Sequence, residues 1–381
     1  MKSRAAVLHG LNQPWTVEEI EVDPPKAGEV LVQWKAAGLC HSDEHLVTGD
    51  IVPDLAMLES LGMKFFPIIG GHEGAGVVAE VGPGVTSVQV GDHVSASFVP
   101  SCGSCRYCIN GQQNLCDASA GTFVGGMITD GTHRHHLNGE PVLLFAKVGS
   151  FSQYSCVSER SVIKVDNDYP LESVALVSCG VATGWGSATT RAGVRAGDTV
   201  VVVGVGGIGI NAVQGAAMAG ARRVIAVDPV EFKREKAMEL GATHTYASME
   251  EAMPAVAELT WGQMADKVIM SPGVLYGDMM QLGVSLVGKG GTVVVTALAP
   301  MNQTHSAVNL FEIAMWQKEI KGTIFGSLNP RNDIPKLLGL YRDGQLKLDE
   351  LITHRYALDE INDGYEAMRN GENIRGIIVY D

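Results

Sequence analysis

The amino-acid sequence predicts an α/β protein whose second half is a doubly wound parallel sheet. Residues Thr199–Val203 form a short apolar run, typical of a strand that is buried on both faces. A glycine-rich turn follows directly and leads into a helical segment at Ile210–Ala219. Beyond it, strand-like and helix-like segments alternate, which is the pattern of a parallel sheet covered by helices.

The predicted elements of this half can be placed one by one. In chain order they are strand Thr199–Val203, helix Ile210–Ala219, strand Arg223–Val227, helix Val230–Leu240, strand His244–Tyr246, helix Glu250–Thr260, strand Asp266–Met270, helix Gly277–Val287 and strand Thr292–Thr296.

The turn after the first strand has the sequence GVGGIG, from Gly204 to Gly209. Between a strand and a helix, this spacing is the dinucleotide-binding fingerprint of a Rossmann fold. Gly204 allows the tight turn, Gly206 lets a pyrophosphate approach the backbone, and Gly209 permits close packing of helix on strand. The N–H groups and the dipole of the helix N-terminus favour phosphate there.

Asp228 ends the second strand of this unit. A carboxylate at this position can accept hydrogen bonds from the adenosine ribose hydroxyls. Since a 2′-phosphate would meet a like charge, NAD is favoured over NADP. Lys233 and Arg234 follow about one helical turn later, and one of them could reach the ribose or phosphate. A solvated helix face is the alternative.

Four of the seven cysteines follow one another with the spacing C-x2-C-x2-C-x7-C: Cys102, Cys105, Cys108 and Cys116. Gly103 and Gly111 permit the sharp turns that let four thiolates converge on one ion. This spacing predicts a structural zinc site in a lobe at residues 102–116. An iron–sulfur cluster is the rival interpretation, and the rest of the chain favours zinc.

Cys40, His72 and Cys179 are far apart in the chain, yet each lies in a local sequence that suits a zinc ligand. Two thiolates and one imidazole leave one position of a tetrahedral zinc for water or substrate, as a catalytic site requires. We therefore expect a second zinc ion, making two per chain. Cys156 is left over and is predicted to be a buried small hydrophobe.

Chain length and net charge limit the number of domains and the kinds of partner that the protein can have. The 381 residues favour two domains, and the net charge of −14 argues against nucleic acid or an anionic membrane as a partner. No apolar run approaches the length of a membrane span. The N-terminal residues lack the apolar core of a signal peptide, so a cytoplasmic protein is expected.

Together these features resemble the zinc-dependent medium-chain alcohol dehydrogenases, nearly from end to end. The segments that carry the resemblance are Gly71–Glu73, Phe151–Tyr154, Cys179–Gly186 and Asn373–Gly376. The stretch Ala226–Lys236 looks closest to the actinobacterial nicotinoprotein branch, whose members are assayed with the dye N,N-dimethyl-4-nitrosoaniline.

The resemblance implies a split catalytic domain. A GroES-like β-barrel would occupy residues 1–180, including the zinc lobe, and residues 325–381 would return to it. The Rossmann NAD-binding domain would lie between them at residues 181–324.

The resemblance also implies roles for residues around the predicted catalytic zinc. Cys40, His72 and Cys179 match its ligands. Glu73 matches an acidic neighbour that can approach the metal, and Asp43 matches a carboxylate that orients the zinc-bound imidazole.

Ser42 and His45 match a proton relay, in which a hydroxyl passes a proton through the nicotinamide ribose to an imidazole near solvent. A helix cap and an exposed helix residue are the respective alternatives. His41 and Arg375 match pyrophosphate contacts, and Thr183 matches a residue packed against the nicotinamide. The full set expected to bind NAD is His41, Thr183, Gly204, Gly206, Gly207, Ile208, Gly209, Asp228, Lys233 and Arg375.

The implied reaction is oxidation of a primary alcohol to an aldehyde, with zinc as Lewis acid and hydride transfer to NAD. In the nicotinoprotein branch, NAD stays bound through turnover and a second acceptor takes the hydride. Mycofactocin, a ribosomally made redox peptide, is the suspected acceptor. Two alternatives stay open: a dehydrogenase of thiol–formaldehyde (S-hydroxymethyl) adducts, and a non-enzymatic NAD-binding sensor.

Three further expectations concern surfaces. The apolar connection at residues 50–67 could line a pocket for aliphatic or aromatic alcohols, or form a lid or an oligomer contact. The stretch Thr292–Ala299 could end the sheet at an edge that pairs with a second subunit, giving a homodimer or homotetramer. His133, His135 and His136 are expected on a solvated surface.

Overall fold

A computed structural model describes residues 1–119 and 125–381 of the chain, which divide into two compact units. The first unit consists of Met1–Cys179, Asn329–Gly344 and Leu348–Asp381, and the second of Gly180–Leu328 and Gln345–Lys347. The boundaries expected from the sequence differ from this division at Gly180, at residues 325–328 and at Gln345–Lys347.

The first unit begins with short strands interrupted by short helices. Its elements up to Cys179 are β1 (Lys2–Leu8), β2 (Thr16–Val22), β3 (Glu29–Gly38), α1 (His41–Thr48), α2 (Leu55–Ser60), β4 (Ile68–Ile69), β5 (Gly74–Val81), β6 (His93–Ala96), α3 (Arg106–Ile109), β7 (His135–Leu137), β8 (Glu140–Pro141), β9 (Leu143–Leu144), β10 (Tyr154–Ser158), β11 (Val162–Val165) and α4 (Leu171–Val177).

The second unit alternates helices and strands. Its elements are α5 (Gly180–Gly186), which a π-helical turn (Ser187–Ala192) continues, β12 (Thr199–Val203), α6 (Gly209–Met218), β13 (Arg223–Val227), α7 (Glu231–Glu239), β14 (His244–Tyr246), α8 (Met249–Leu259), β15 (Ala265–Met270), α9 (Met279–Leu286), β16 (Val287–Val295), α10 (Leu310–Met315) and β17 (Glu319–Gly322). The chain then returns to the first unit with α11 (Pro330–Arg342), β18 (Ile352–Tyr356), α12 (Ile361–Arg369) and β19 (Arg375–Val379).

Two sheets form the barrel-like framework of the first unit. One has the order β8-β7-β2-β1-β4-β9, and the other has the order β11-β6-β5-β3-β19-β18 with β10 also paired to β3. Strand β3 is central, since it pairs with β5, β10 and β19. Its Trp34 is fully buried in the apolar core. The return of the chain through β19 brings the C-terminal residues beside the end of β3 at Gly38.

The second unit contains the predicted doubly wound sheet, with the order β14-β13-β12-β15-β16-β17 and parallel pairing throughout. The buried residues of β12 confirm the prediction of a strand covered on both faces. One expectation is wrong: Thr292–Ala299 does not lie at the sheet edge. Strand β17 pairs with β16 outside it, so Glu319–Gly322 forms the edge.

Among the residues that the structure describes, no helix combines the length and apolar character needed to cross a membrane.

A buried polar network ties β3 to the segment before β7. The carboxylate of Glu29 pairs with Arg134 at 2.7 Å, and both side chains are almost fully buried. His135 is also buried, and its Nε2 accepts the backbone N–H of Cys156 at 3.1 Å. The expectation of a solvated surface is therefore wrong for His135, because burial inside a sheet cannot be inferred from neighbouring polar residues. Cys156 is buried as predicted, and burial raises the pKa of its thiol.

Acid should weaken the fold through His135. Burial lowers the pKa of this imidazole to about 3, whereas an unfolded histidine titrates near pH ~6.5. Below that pH the unfolded chain binds a proton that the folded chain rejects, so this contribution to stability is lost as the pH falls. We expect denaturant titrations between pH ~6.5 and ~5 to show that the free energy of unfolding falls more steeply for the wild type than for His135→Gln. The difference in slope should be about 1.4 kcal/mol per pH unit. Parallel slopes would contradict this.

Candidate active site

The predicted catalytic zinc ligands lie together in one buried cluster of the first unit. The ligand atoms of Cys40, His72, Glu73 and Cys179 are all within 4.8 Å of one another, and all four residues are buried. Nε2 of His72 lies 3.3 Å from Sγ of Cys179. Two sulfurs, an imidazole nitrogen and a carboxylate at this spacing form a donor set that suits zinc.

Three chain segments supply the cluster. Cys40 immediately precedes helix α1, His72 lies in the turn before β5, and Cys179 follows helix α4. The turn is fixed by Gly71, which has a φ of +85° and whose added Cβ would lie 2.5 Å from the backbone nitrogen of Phe151. Only glycine fits this close approach without strain.

Asp43, on helix α1, holds His72 and its turn together. Its Oδ2 lies 2.9 Å from Nδ1 of His72, and its Oδ1 accepts the backbone N–H of Gly71 at 2.7 Å. The Asp43 side chain is fully buried. This arrangement leaves Nε2 of His72 directed at the sulfurs, as expected for a carboxylate that orients a metal-bound imidazole.

The thiols of Cys40 and Cys179 shift each other's pKa in opposite directions. A hydrogen bond from Cys179 and the nearby His72 hold the pKa of Cys40 well below its usual range, although burial opposes this. The same hydrogen bond, together with burial, raises the pKa of Cys179 well above its usual range. Burial alone would lower the pKa of His72, but Asp43 and Cys40 outweigh it and raise that pKa. A lowered thiol pKa suits a zinc ligand, because zinc binds the thiolate form of cysteine.

Arg375 lies at the same cluster and forms an ion pair with Glu73. It also donates to the carbonyl of Leu39 at 3.3 Å, and its side chain is only 3 % exposed. Burial raises the pKa of Glu73 to about 7 against the opposing effect of Arg375. The predicted pyrophosphate contact thus lies next to the predicted metal ligands, with its guanidinium already bonded to protein oxygens.

The predicted relay residues occupy helix α1. Oγ of Ser42 lies 3.7 Å from Sγ of Cys40. His45 is buried, so the alternative of an exposed helix residue is wrong. Its Nδ1 lies 2.8 Å from Oδ2 of Asp50, and its ring is 5.1 Å from that of His41. The sequence analysis missed Asp50; the signal was Gly49, whose left-handed φ of +89° ends α1 and turns the chain back.

Two aromatic rings that the sequence analysis also missed surround His72. The centroids of Phe98 and Phe145 lie 5.5 Å and 5.3 Å from the imidazole, each ring nearly perpendicular to it. Phe98 lies in a loop and Phe145 begins a short 3₁₀-helix (Phe145–Lys147), and no local pattern in the sequence marks them. They place apolar surface beside the cluster.

The four cysteines of the lobe also converge. The sulfurs of Cys102, Cys105, Cys108 and Cys116 lie within 4.8 Å of one another. Gly103 and Gly111 both have a φ of +76°, as predicted for the sharp turns. Hydrogen bonds from Ser104 lower the pKa of Cys102 to about 5, whereas burial raises that of Cys108 to about 12. Backbone N–H groups directed at sulfur stabilise thiolates, so the lobe fits a cation with four thiolate ligands.

The glycine turn of the second unit lies between β12 and α6. An added Cβ at Gly209 would collide with the carbonyl oxygen of Gly204, whereas one at Gly206 would meet nothing within 4 Å. Internal packing thus explains Gly209 but not Gly206. Gly207 accepts the side-chain amide of Asn211 at 2.9 Å, and Ile208 is the N-cap residue of α6.

Asp228 lies beside this turn. Its carboxylate accepts the N–H groups of Val205 and Val230, each at 2.9 Å. Arg234 donates to the carbonyls of Asp228 and Pro229, so this side chain braces the end of β13. Lys233 lies on α7, half-buried.

Thr183, on α5, is buried, and its hydroxyl has no hydrogen-bond partner among the described residues. An orphaned buried hydroxyl and a turn with space above Gly206 both fit a bound dinucleotide.

Comparisons with known proteins agree with this geometry. Residues 26–167 match the family model described as alcohol dehydrogenase GroES-like domain, and residues 207–343 match the one described as zinc-binding dehydrogenase. An NDMA-dependent alcohol dehydrogenase of Amycolatopsis methanolica is 53% identical over 100% of this chain and 99% of its own. The S-(hydroxymethyl)glutathione dehydrogenase of Paracoccus denitrificans is 38% identical, with 100% of both chains covered.

Among solved structures, the benzyl alcohol dehydrogenase of Acinetobacter calcoaceticus superimposes with a TM-score of 0.89 at 31% identity, covering 100% of both chains. The chain belongs to the zinc-dependent medium-chain alcohol dehydrogenase family. It is a zinc alcohol dehydrogenase with a GroES-like unit and an NAD-binding Rossmann unit.

In this alcohol dehydrogenase, the apolar connection at residues 50–67 has two kinds of side chain. Ile51, Leu58 and Phe65 are buried in the core, and Met63 and Phe66 pack against it. Leu55, Met57 and Leu61 are exposed. Of these eight apolar residues, five therefore pack in the core of the first unit and three lie at the surface.

Substitution of two glycines should separate cofactor binding from folding. We expect Gly206→Ala to keep the wild-type melting temperature of cofactor-free protein while weakening NAD binding about tenfold or more, since the added methyl enters the space for the pyrophosphate. Gly209→Ala is the control and should lower the melting temperature. Thermal unfolding and NAD titration measure both. Unchanged NAD affinity in Gly206→Ala would show that the phosphates bind elsewhere.

Proposed function

We propose that this chain is a nicotinoprotein-type alcohol dehydrogenase that oxidises primary alcohols to aldehydes. NAD would remain bound through turnover, and a second acceptor would take the hydride. Two findings support this: the buried cluster of Cys40, His72 and Cys179, and the name of the Amycolatopsis relative, which is 53% identical over the full chain. The cluster carries the proposal, because it offers three zinc donors beside apolar rings.

The residues present fit both cofactors. Cys40, His72 and Cys179 would hold one zinc ion, and the four cysteines of the lobe would hold the other. The glycine turn and Asp228 would hold the pyrophosphate and ribose of NAD. When bound, zinc supplies a Lewis acid and NAD supplies the hydride acceptor.

The chain itself contributes orientation and proton transfer. Asp43 fixes the ring of His72, and Ser42 lies close enough to Cys40 to receive a proton from an alcohol beside the sulfurs. His45 is the base that takes this proton onward. Phe98 and Phe145 exclude water from the neighbourhood of His72 and offer apolar surface to an alcohol side chain.

Further contacts complete the proposed cofactor site. His41 and Arg375 would bind the pyrophosphate, Thr183 would pack on the nicotinamide, and Lys233 would reach the ribose or phosphate of adenosine. Arg375 would then have to serve Glu73 and a phosphate together. A guanidinium can do so, since it has five N–H donors.

A second candidate is oxidation of a thiol–formaldehyde adduct, as the name of the Paracoccus relative suggests. The higher identity to the NDMA-dependent enzyme favours the nicotinoprotein assignment. For the nicotinoprotein assignment, the physiological hydride acceptor would be a redox peptide such as mycofactocin.

Metal and cofactor content test this proposal. We expect purified protein to contain two zinc ions per chain and a nicotinamide absorbance, and to reduce N,N-dimethyl-4-nitrosoaniline with an alcohol in the absence of added NAD. Cys40→Ser and Cys105→Ser should each retain one zinc ion. Cys40→Ser should lose turnover and keep the wild-type melting temperature. Cys105→Ser should not show this combination, since the lobe is structural.

Two results would contradict this proposal. Protein with both zinc ions that turns over only with added NAD would be an ordinary NAD-exchanging dehydrogenase. Turnover limited to S-hydroxymethyl glutathione would favour the second candidate.

We also propose that the chain forms a homodimer through the edge of its parallel sheet. Exposed apolar side chains concentrate beside edge strand β17: Leu310, Phe311 and Met315 lie on helix α10, Ile320 lies on the strand, and Ile324 follows it. Unpaired strand edges flanked by apolar surface favour strand addition by a second copy. A homotetramer would pair two such dimers.

Charged substitutions at this edge should separate the subunits. We expect Ile320→Asp and Phe311→Asp to halve the molar mass measured by light scattering, because a buried charge in the interface is unpaired. Met238→Asp, at an exposed position on helix α7, is the control and should keep the wild-type mass. A monomeric wild type would rule out the homodimer.

A further inference from the structure

Asp50 forms a close pair with the proposed base. Its Oδ2 lies 2.8 Å from Nδ1 of His45 and accepts the hydroxyl of Thr48 at 2.6 Å. An aspartate whose side chain reaches solvent is ionised at neutral pH, since its ordinary pKa is about 3.9, and an ionised carboxylate has no proton to donate. The shared proton of the pair therefore belongs to Nδ1 of His45.

This assignment fixes the tautomer of His45. In a neutral imidazole with its proton on Nδ1, Nε2 carries the lone pair and is the atom that can accept a proton. The hydrogen bond to Asp50 also sets the ring orientation. The pKa of Asp50 agrees with an ionised carboxylate: burial opposes ionisation, but the hydrogen bonds from Thr48 and His45 outweigh it and lower the pKa.

The two members of the pair differ in their contact with water. The side chain of His45 is 3 % exposed, whereas that of Asp50 is 22 % exposed. Asp50 is thus the member that reaches solvent. The ring of His41 is a further titratable group beside this imidazole, 5.1 Å from the ring of His45.

We propose that Asp50 is a positioning residue for proton transfer, which holds His45 in the Nδ1–H tautomer and stabilises the imidazolium formed when Nε2 takes a proton. This rests on the proposed function, in which His45 is the base. One proton moves to Nε2 and later leaves to water, while Asp50 stays ionised. The arrangement repeats on His45 what Asp43 does for His72.

A structural role is the competing explanation, because Asp50 also binds Thr48 at the end of helix α1. Asp54 supplies a matched control. Its carboxylate accepts the N–H groups of Ala56 and Met57 as the N-cap of helix α2, and no histidine among the described residues is bonded to it. Asp54→Ala should lower the melting temperature and leave kcat unchanged.

Kinetics provide the first test. We expect Asp50→Ala to lower kcat about tenfold with little change in KM or zinc content, since a positioned base contributes roughly 100- to 10,000-fold. His45→Gln should lower kcat further. The double variant should be no slower than His45→Gln alone, because Asp50 acts only through His45. Multiplicative losses in the double variant would overturn the proposal.

The tautomer provides a test that needs no turnover. In long-range 15N–1H spectra of 15N-histidine-labelled, zinc-loaded protein, the His45 signals are identified by their loss in His45→Gln. We expect the Nδ1–H form in the wild type and in Asp54→Ala, and loss of that preference in Asp50→Ala. An Nε2–H form in the wild type, or an unchanged tautomer in Asp50→Ala, would overturn the proposal.

A second variant covers the case in which alanine disturbs the fold. Asp50→Asn removes the charge and keeps the shape, so we expect a wild-type melting temperature with a reduced kcat; an unchanged kcat would overturn the proposal. Failure of the proposed function can be distinguished from failure of the role of Asp50. In the first case the wild type turns over no alcohol, but its His45 tautomer can still be measured.

Discussion

The first unit depends on a balance of charge in a place that water does not reach. Asp43, Glu73, His72, Arg375 and the two sulfurs lie within a few ångströms, and their side chains are nearly all inaccessible. Isolated charges at such burial are strongly unfavourable, so each must have a partner. Glu73 pairs with Arg375, and Asp43 pairs with His72, whose Nε2 lies 3.3 Å from Sγ of Cys179. A divalent cation would stabilise both sulfurs as thiolates, so the donor set of this cluster suits a metal ion.

Much of this could be predicted from the sequence, and the successes share one cause. The four cysteines of the lobe and the turn from Gly204 to Gly209 have short, fixed spacings, so the chain alone brings their atoms together. The strands around that turn are also marked locally, by continuous apolar runs; β12, β13 and β14 have the predicted bounds. By contrast, β16 begins at Val287, earlier than predicted, because the glycines at its centre hide the start of the strand.

The failures concern partners that are remote in the chain. Nothing near Thr292–Ala299 indicates that Glu319–Gly322 will cover that strand, since a short polar segment carries no strand pattern. His135 is buried because β7 lies against β2 and its imidazole meets the backbone of Cys156. Phe98 and Phe145 reach His72 from a loop and a short 3₁₀-helix, whose positions depend on the whole unit. Resemblance to a family located Cys40, His72 and Cys179, which spacing alone could not bring together.

Helix α1 connects the metal-binding cluster with the proposed proton relay. On eight residues it carries Asp43, which lies 2.9 Å from His72, and His45, which lies 2.8 Å from Asp50. Side chains two residues apart on a helix point in different directions. Asp43 therefore faces the metal cluster, and His45 faces the proposed relay. Because Cys40 begins the helix and Gly49 ends it, a shift of α1 would move the sulfur, both histidine–carboxylate pairs and Ser42 together. In the proposed relay, the helix would therefore set the distance between the site of proton release and His45.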